Sequence, residues 1–298
     1  MCKKRRPMEL KMIVMDMDGT LLKHDQTIGE VTMSQLANVQ ANGSLLVLAS
    51  GRHPIVLHRN GVQLGMHEHK GYYIGVNGGE IRRSDTMEIL RKVTLSIDEI
   101  REIIAFAQSS KVEAMVVGDA SILDFIPPEL MELKRKYRDE KGLAHDVPLT
   151  AGTFGLVVDQ RRNYSSIRFE EDVAKISDVA NKICFAQSAE MLHEFHKRLL
   201  AKFGSRFSIA LTSSSWLELT PKQADKGIAL RYVMNIEGIS KHEVMVFGDG
   251  ENDLPLFRES QNSVAMGNAM ESVKNAAVYI ADSNENDGIG NFLKKIGV

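Results

Sequence analysis

Acidic side chains gather in two short stretches of this 298-residue chain, Asp16-Met17-Asp18-Gly19-Thr20-Leu21 and Gly248-Asp249-Gly250-Glu251-Asn252-Asp253. Between them stands Ser50-Gly51-Arg52. Such carboxylates can attack an electrophile, exchange protons or ligate a hard cation. Each stretch also has a plainer reading. Asp-x-Asp-Gly-Thr suits an Asx-type turn or a fragment of a calcium loop, although the EF-hand pattern fails at position five and at its terminal Glu. Ser-Gly is a common turn, and Gly248–Asp253 suits a glycine-rich loop with an exposed acidic face. What distinguishes the three is their shared placement directly after buried apolar runs.

Those runs are the elements that must position them. Met12–Met15, Leu45–Ala49 and Val244–Phe247 read as short strands covered on both faces. A helix over about 28–41 stops near Asn42-Gly43, Pro54 suits the first turn of another helix, and Tyr72–Val76 reads as a third strand. Alternation of this kind predicts parallel strands with crossover helices. The middle reads differently. Ser96-Ile97-Asp98-Glu99 is a capping box opening a helix to about Ser109, and 129–141 and 189–203 are further helices. Strand patterns fall at 112–117, 154–158, 183–186, 207–211 and 216–219. From Lys226 the first rhythm resumes: a helix to Asn235, the strand 244–247, and shorter helices and strands to 296. The economical arrangement is one α/β core built from residues 1–83 and 215–298, with 84–214 inserted as an α+β domain. Open α/β sheets place ligand sites at the carboxyl ends of their strands, where the three stretches lie.

Asp16-Met17-Asp18-Gly19-Thr20-Leu21-Leu22 resembles the first motif of the haloacid dehalogenase (HAD) superfamily, and Gly248–Asp253 its fourth. Ser50 resembles the second motif and Lys226, in Pro221-Lys222-Gln223-Ala224-Asp225-Lys226-Gly227, the third. Val76-Asn77-Gly78-Gly79, Val264-Ala265-Met266-Gly267-Asn268-Ala269 and Ser283-Asn284-Glu285-Asn286-Asp287-Gly288 narrow the resemblance to the Cof-type branch. The resemblance implies a Rossmann-like core with an α+β cap between the second and third motifs. It also implies a Mg²⁺-dependent phosphatase acting through a phosphoaspartate on small phosphorylated metabolites, sugar phosphates at family level. Asp16 would be the nucleophile and Asp18 the general acid and base. Metal ligation would come from Asp16, Asp249, the Asp18 carbonyl and Gly250, with Asp253 behind them. Met17, Ser50, Gly51, Lys226 and Asn252 would contact the phosphoryl group. The chemistry agrees, because a phosphate dianion repels a carboxylate until positive charge is supplied. A phosphotransferase or phosphomutase would use the same residues. A non-catalytic phospho-ligand-binding member is the second alternative, although every motif residue is of the competent type. The inserted domain, if mobile, is expected to set specificity.

Composition excludes other classes. Hydrophobic residues make up 43% and charged residues 26%, and the formal net charge is −2. Nothing there advertises a nucleic acid or an anionic membrane as partner. Lys3 to Arg6 reads as a solvated tail rather than the start of a signal peptide, since Asp16 and Asp18 interrupt the apolar stretch that follows. No apolar run approaches a spanning helix. Cys2 and Cys184 lack metal spacing, Cys184 reads as a buried hydrophobe, and a reduced, cytoplasmic setting fits. Nine histidines show no triad order, with His193 and His196 on a solvated helix face. Met12, Met15 and Met17 pack as core, and Arg161-Arg162 reads as a surface pair. A monomer or homodimer is expected.

Overall fold

The computed structural model describes residues 10–152, 155 and 166–298. Cys2, the basic tail, the expected strand over 154–158 and the Arg161-Arg162 pair lie outside the described residues. The chain divides into two compact units, residues 1–92 with 223–298, and residues 93–222.

The first unit opens with β1 (Met12–Met15), β2 (Leu45–Ala49) and β3 (Tyr72–Gly75), whose side chains are almost all buried. A strand with apolar residues at every position has no solvent face and must lie inside a covered sheet. Helices α1 (Glu30–Ala41) and α2 (Pro54–Gln63) connect them, α2 with proline in its first turn. The short strands β4 (Glu80–Arg83) and β5 (Ile89–Lys92) then fold back antiparallel. The second unit follows: α3 (Ile97–Ser109), β6 (Glu113–Val117), β7 (Ser121–Phe125), α4 (Pro128–Glu140), β8 (Ser166–Phe169), β9 (Lys182–Ala186), α5 (Ala189–Phe203), β10 (Phe207–Ser213) and β11 (Trp216–Pro221). The chain returns to the first unit with α6 (Lys226–Glu237), β12 (Val244–Gly248), α7 (Leu254–Phe257), β13 (Asn262–Ala265), α8 (Glu271–Ala276), β14 (Tyr279–Ile280) and α9 (Gly288–Ile296).

Among the described residues the first unit holds a sheet ordered β14-β13-β12-β1-β2-β3-β4-β5. It is parallel from β14 to β3, and only β4 and β5 run antiparallel. β1 sits at its centre, with Met15 paired to Leu48 on one side and Phe247 on the other. The chain leaves β1 toward β2 and β3 in one direction and toward β12 and β13 in the other. Such a reversal of strand order opens a crevice at the carboxyl end of the sheet.

The second unit is a mixed sheet, β10-β11-β9-β6-β7-β8, with one apolar cluster packed between it and helices α3 and α5. The Ser96 capping box fixes the start of α3 as expected, and Cys184 is fully buried in β9. A buried ion pair, Lys134 Nζ to Glu113 Oε2 at 2.6 Å, ties α4 to β6.

Two parts of the sequence reading need correction. The junctions fall at 92/93 and 222/223 rather than 83/84 and 214/215. β4 and β5 pair onto the first sheet, and β11 pairs with β9 in the second, so each sheet claims about eight residues more than polarity alone suggested. Strands β4, β5, β7 and β8 were also missed. Their charged residues disguise them: Glu80, fully buried, is neutralised by Arg82 at 2.5 Å and Lys92 at 3.1 Å.

Candidate active site

Register alone brings three loops to one edge of the first sheet. Asp16 follows Met15 of β1, Ser50 follows Ala49 of β2, and Asp249 follows Gly248 of β12. Lys226 enters as the first residue of α6, whose N-terminus is capped by Asp225 accepting from the Ile228 amide at 2.8 Å.

Lys226 is the centre of charge. It is 2% exposed, and its Nζ donates to Asp16 Oδ1 at 2.5 Å and to Asp253 Oδ1 at 2.7 Å. The other oxygen of Asp253, Oδ2, accepts from the amides of Asp249 and Gly250, each at 3.1 Å. It therefore shapes the β12 loop and aims Lys226. Asp249 gives its Oδ1 to the Thr20 hydroxyl at 2.7 Å. Asp16 and Asp249 each keep one carboxylate oxygen that accepts no hydrogen bond among the described residues.

One oxygen from each of Asp16, Asp249 and Asp253 lies within 4.8 Å of the others. Three carboxylates then face a single ammonium. Burial pushes the Asp16 carboxyl up to about 7; Lys226 pulls it down, while Asp253 and Asp249 add to the rise. Asp249 is raised by burial too, against the Thr20 hydrogen bond. For Lys226, burial favours the neutral amine, but Asp16 and Asp253 outweigh it and hold the ammonium above its ordinary range. Two carboxyls that resist ionising in this way, Asp16 and Asp249, suit a second cation. The donors are hard oxygens, and one oxygen each from Asp16 and Asp249, with substrate and water, match a small octahedral divalent ion.

Asp18 stands apart from this buried knot. Its side chain is 52% exposed, and both its oxygens accept from Arg52, Oδ2 from Nε at 2.8 Å and Oδ1 from Nη2. Ser50 is buried and its Oγ accepts from the Arg52 amide at 3.1 Å. Gly51 is exposed, and the Asn77 amide packs beside it. Asn252 is exposed with its side chain folded back beside Gly250. The Met17 side chain is fully buried, so only its backbone can face a ligand.

The sequence reading missed the residues that hold these loops. Asn268 Nδ2 donates to the Gly19 carbonyl at 2.7 Å, and its Oδ1 accepts from the Asn284 amide at 3.1 Å. Asn284 Nδ2 donates in turn to the Leu22 carbonyl at 2.8 Å. The two asparagines thus bolt the loop after β1 to the end of the chain. After β3, Val76 and Asn77 adopt φ of 52° and 53°, and Gly78 one of 95°. A β-branched residue in that region is strained and persists only where its surroundings demand it. Here the Val76 and Asn77 amides donate to the carbonyls of Arg52 and Ser50, at 2.9 and 3.0 Å. Gly78 packs on the backbone of Asp225 and Lys226. The turn therefore buttresses the second-motif loop and the start of α6 together. Asn77, Asn268 and Asn284 had served only as family markers, and Thr20 only as part of a motif.

Comparison with known proteins agrees with the resemblance carried by the motifs. The model of the haloacid dehalogenase-like hydrolases matches residues 13–293. An HMP-PP phosphatase of Escherichia fergusonii is 27% identical over 267 residues, which are 89% of this chain and 86% of that protein. The 5-amino-6-(5-phospho-D-ribitylamino)uracil phosphatase YitU of Bacillus subtilis is 24% identical over 288 residues, 95% of this chain and 96% of that one. A haloacid dehalogenase-like hydrolase from Bacteroides thetaiotaomicron superposes with a TM-score of 0.75 at 26% identity, covering 96% of this chain and 99% of the other. No helix among the described residues is long and apolar enough to cross a membrane.

Proposed function

The chain belongs to the haloacid dehalogenase-like hydrolases and is a phosphatase of that superfamily, and on this premise we propose that it hydrolyses small phosphorylated metabolites, sugar phosphates foremost, with Mg²⁺ bound and Asp16 as nucleophile. The observation that carries the reading is the Asp16 carboxylate itself. It is buried at the end of the central strand, held through one oxygen by Lys226, and accepts no hydrogen bond at the other among the described residues. A carboxylate oxygen fixed beside an ammonium supports a nucleophilic role toward a phosphoryl group.

In the first half-reaction Asp16 Oδ2 forms the bond to phosphorus, the ester P–O bond breaks, and Asp18 gives its proton to the leaving oxygen. In the second, water forms a bond to phosphorus, the bond to Asp16 breaks, and Asp18 takes the proton from that water. Asp18 thus returns to its starting form, and inorganic phosphate leaves. Ser50, the Gly51 amide, Asn252 and Lys226 offer donors to the equatorial oxygens, where charge accumulates. Asp16, Asp249 and the Asp18 carbonyl would hold Mg²⁺, with Gly250 beside them, and the ion would supply the positive charge that lets a dianion meet a carboxylate. The names of two relatives specify small phosphorylated molecules, which supports the substrate class proposed for this chain.

Phosphate release from a panel of phosphorylated metabolites tests the proposal. EDTA abolishes turnover and Mg²⁺ restores it, whereas Ca²⁺, with its larger and looser coordination, does not. Full activity in chelator overturns the metal assignment. An isomerised phosphate ester in place of free phosphate would make the enzyme a mutase.

A further inference from the structure

We propose that Arg52 is the positioning residue for Asp18, holding its carboxylate over the reacting group through both half-reactions; the proposal rests on the phosphatase reading above. The base of the arginine is fixed on the β2 loop, where its amide donates to Ser50 Oγ at 3.1 Å and its carbonyl accepts from Val76 at 2.9 Å. The tip is fixed on the β1 loop, where Nε and Nη2 grip both oxygens of Asp18 and Nη2 also donates to Gln26 Oε1 at 2.7 Å. Arg52 therefore spans the two loops that carry the nucleophile and the phosphoryl donors.

Stability does not explain the pair. The side chains of Asp18 and Arg52 are 52% and 31% exposed. Ion pairs in that setting contribute little to folding, because water screens them and ordering long side chains costs entropy. Reach does explain it. Asp18 must return to the same oxygen position twice per turnover, and an exposed aspartate left alone samples several rotamers. The planar guanidinium holds a carboxylate in one plane and offers two parallel N–H groups, which a lysine cannot. When one Asp18 oxygen carries or exchanges the proton, the other remains bound to Arg52. The two-point grip thus relaxes to one hydrogen bond while Asp18 carries the proton and closes again on the ionised carboxylate.

The test is the substitution Arg52→Ala, with Arg52→Lys beside it, assayed on a small activated ester and on a natural-type sugar phosphate. Arg52→Ala lowers kcat by about 10²-fold on both, the scale of a misplaced catalytic group, with KM little changed. Arg52→Lys falls between the variant and the parent. Methylguanidinium in the assay restores part of the lost kcat, while neutral methylurea does not. A parent-like kcat in Arg52→Ala overturns the proposal. So does a loss that methylguanidinium leaves untouched, which would make Arg52 a strut of the loop. The underlying reading is checked separately by Asp16→Asn: near-normal turnover in that variant sinks the covalent mechanism, whereas a strongly impaired Asp16→Asn with a fully active Arg52→Ala sinks only the role of Arg52.

Discussion

At the scale of residues, the site is organised by which carboxylate oxygens are already committed. Asp253 gives Oδ1 to Lys226 and Oδ2 to two backbone amides, which fixes it behind the other two carboxylates. Asp16 and Asp249 each commit one oxygen. Thr20 decides how Asp249 faces the site, and that role can be isolated because valine has almost the same shape. Thr20→Val leaves Asp249 without its hydroxyl donor and free to turn. We expect the Mg²⁺ concentration for half-maximal activity to rise about tenfold, in line with the loss of a partner that orients a metal ligand. Calorimetric titration of Mg²⁺ into the resting protein gives a readout independent of turnover. An unchanged affinity in both measurements would mean that Asp249 is not a ligand or does not need Thr20. The acidic residues themselves were legible in the sequence, since type and strand-end position sufficed. Thr20, Arg52 and the asparagines were not legible as partners. Their hydrogen bonds reach across as many as 262 positions, and local pattern carries no trace of such a contact.

At the scale of elements, the loops work because strained or stapled turns hold them from outside. The turn after β3 presses Gly78 against α6. A Cβ at Gly78 would strike the Asp225 carbonyl and come within 2.8 Å of the Lys226 nitrogen, both backbone atoms that cannot yield. Gly78→Ala therefore destabilises the protein by at least about 2 kcal/mol and lowers kcat by shifting Lys226. Gly43→Ala is the matching control, since Gly43 is also left-handed, with a φ of 87°, but has open space around it. It bears the conformational cost alone, about 1 kcal/mol, with kcat unchanged. Equal effects in the two variants, by denaturant unfolding and by kcat, would show that the contact with α6 is unimportant. The strands beneath these turns divide by legibility. β1, β2, β3 and β12 announce themselves as continuous apolar runs. β4 and β5 hide behind Glu80, Arg82 and Lys92, whose charges neutralise one another only once the strands are paired.

At the scale of the whole molecule, the first unit is assembled from the two ends of the chain. β1 pairs with β2 some 30 residues later and with β12 more than 200 residues later, across the entire inserted unit. This long closure places Asp16 between Ser50 on one side and Asp249 on the other, at the point where strand order reverses. The two-part architecture was legible because the apolar rhythm stops and then resumes; the junctions moved by about eight residues because β4 and β5 pair onto the first sheet and β11 onto β9 of the second. Everything proposed for the site depends on Asp16 becoming phosphorylated. Acid-quenching the enzyme during turnover with Mg²⁺ and a phosphate monoester, then fragmenting its peptides by mass spectrometry, tests that claim directly. The account predicts a phosphoryl group on Asp16 itself, absent from Asp16→Asn, which loses turnover by on the order of 10³-fold or more. A phosphoryl group on any other side chain, or near-normal phosphate release by Asp16→Asn, would contradict it.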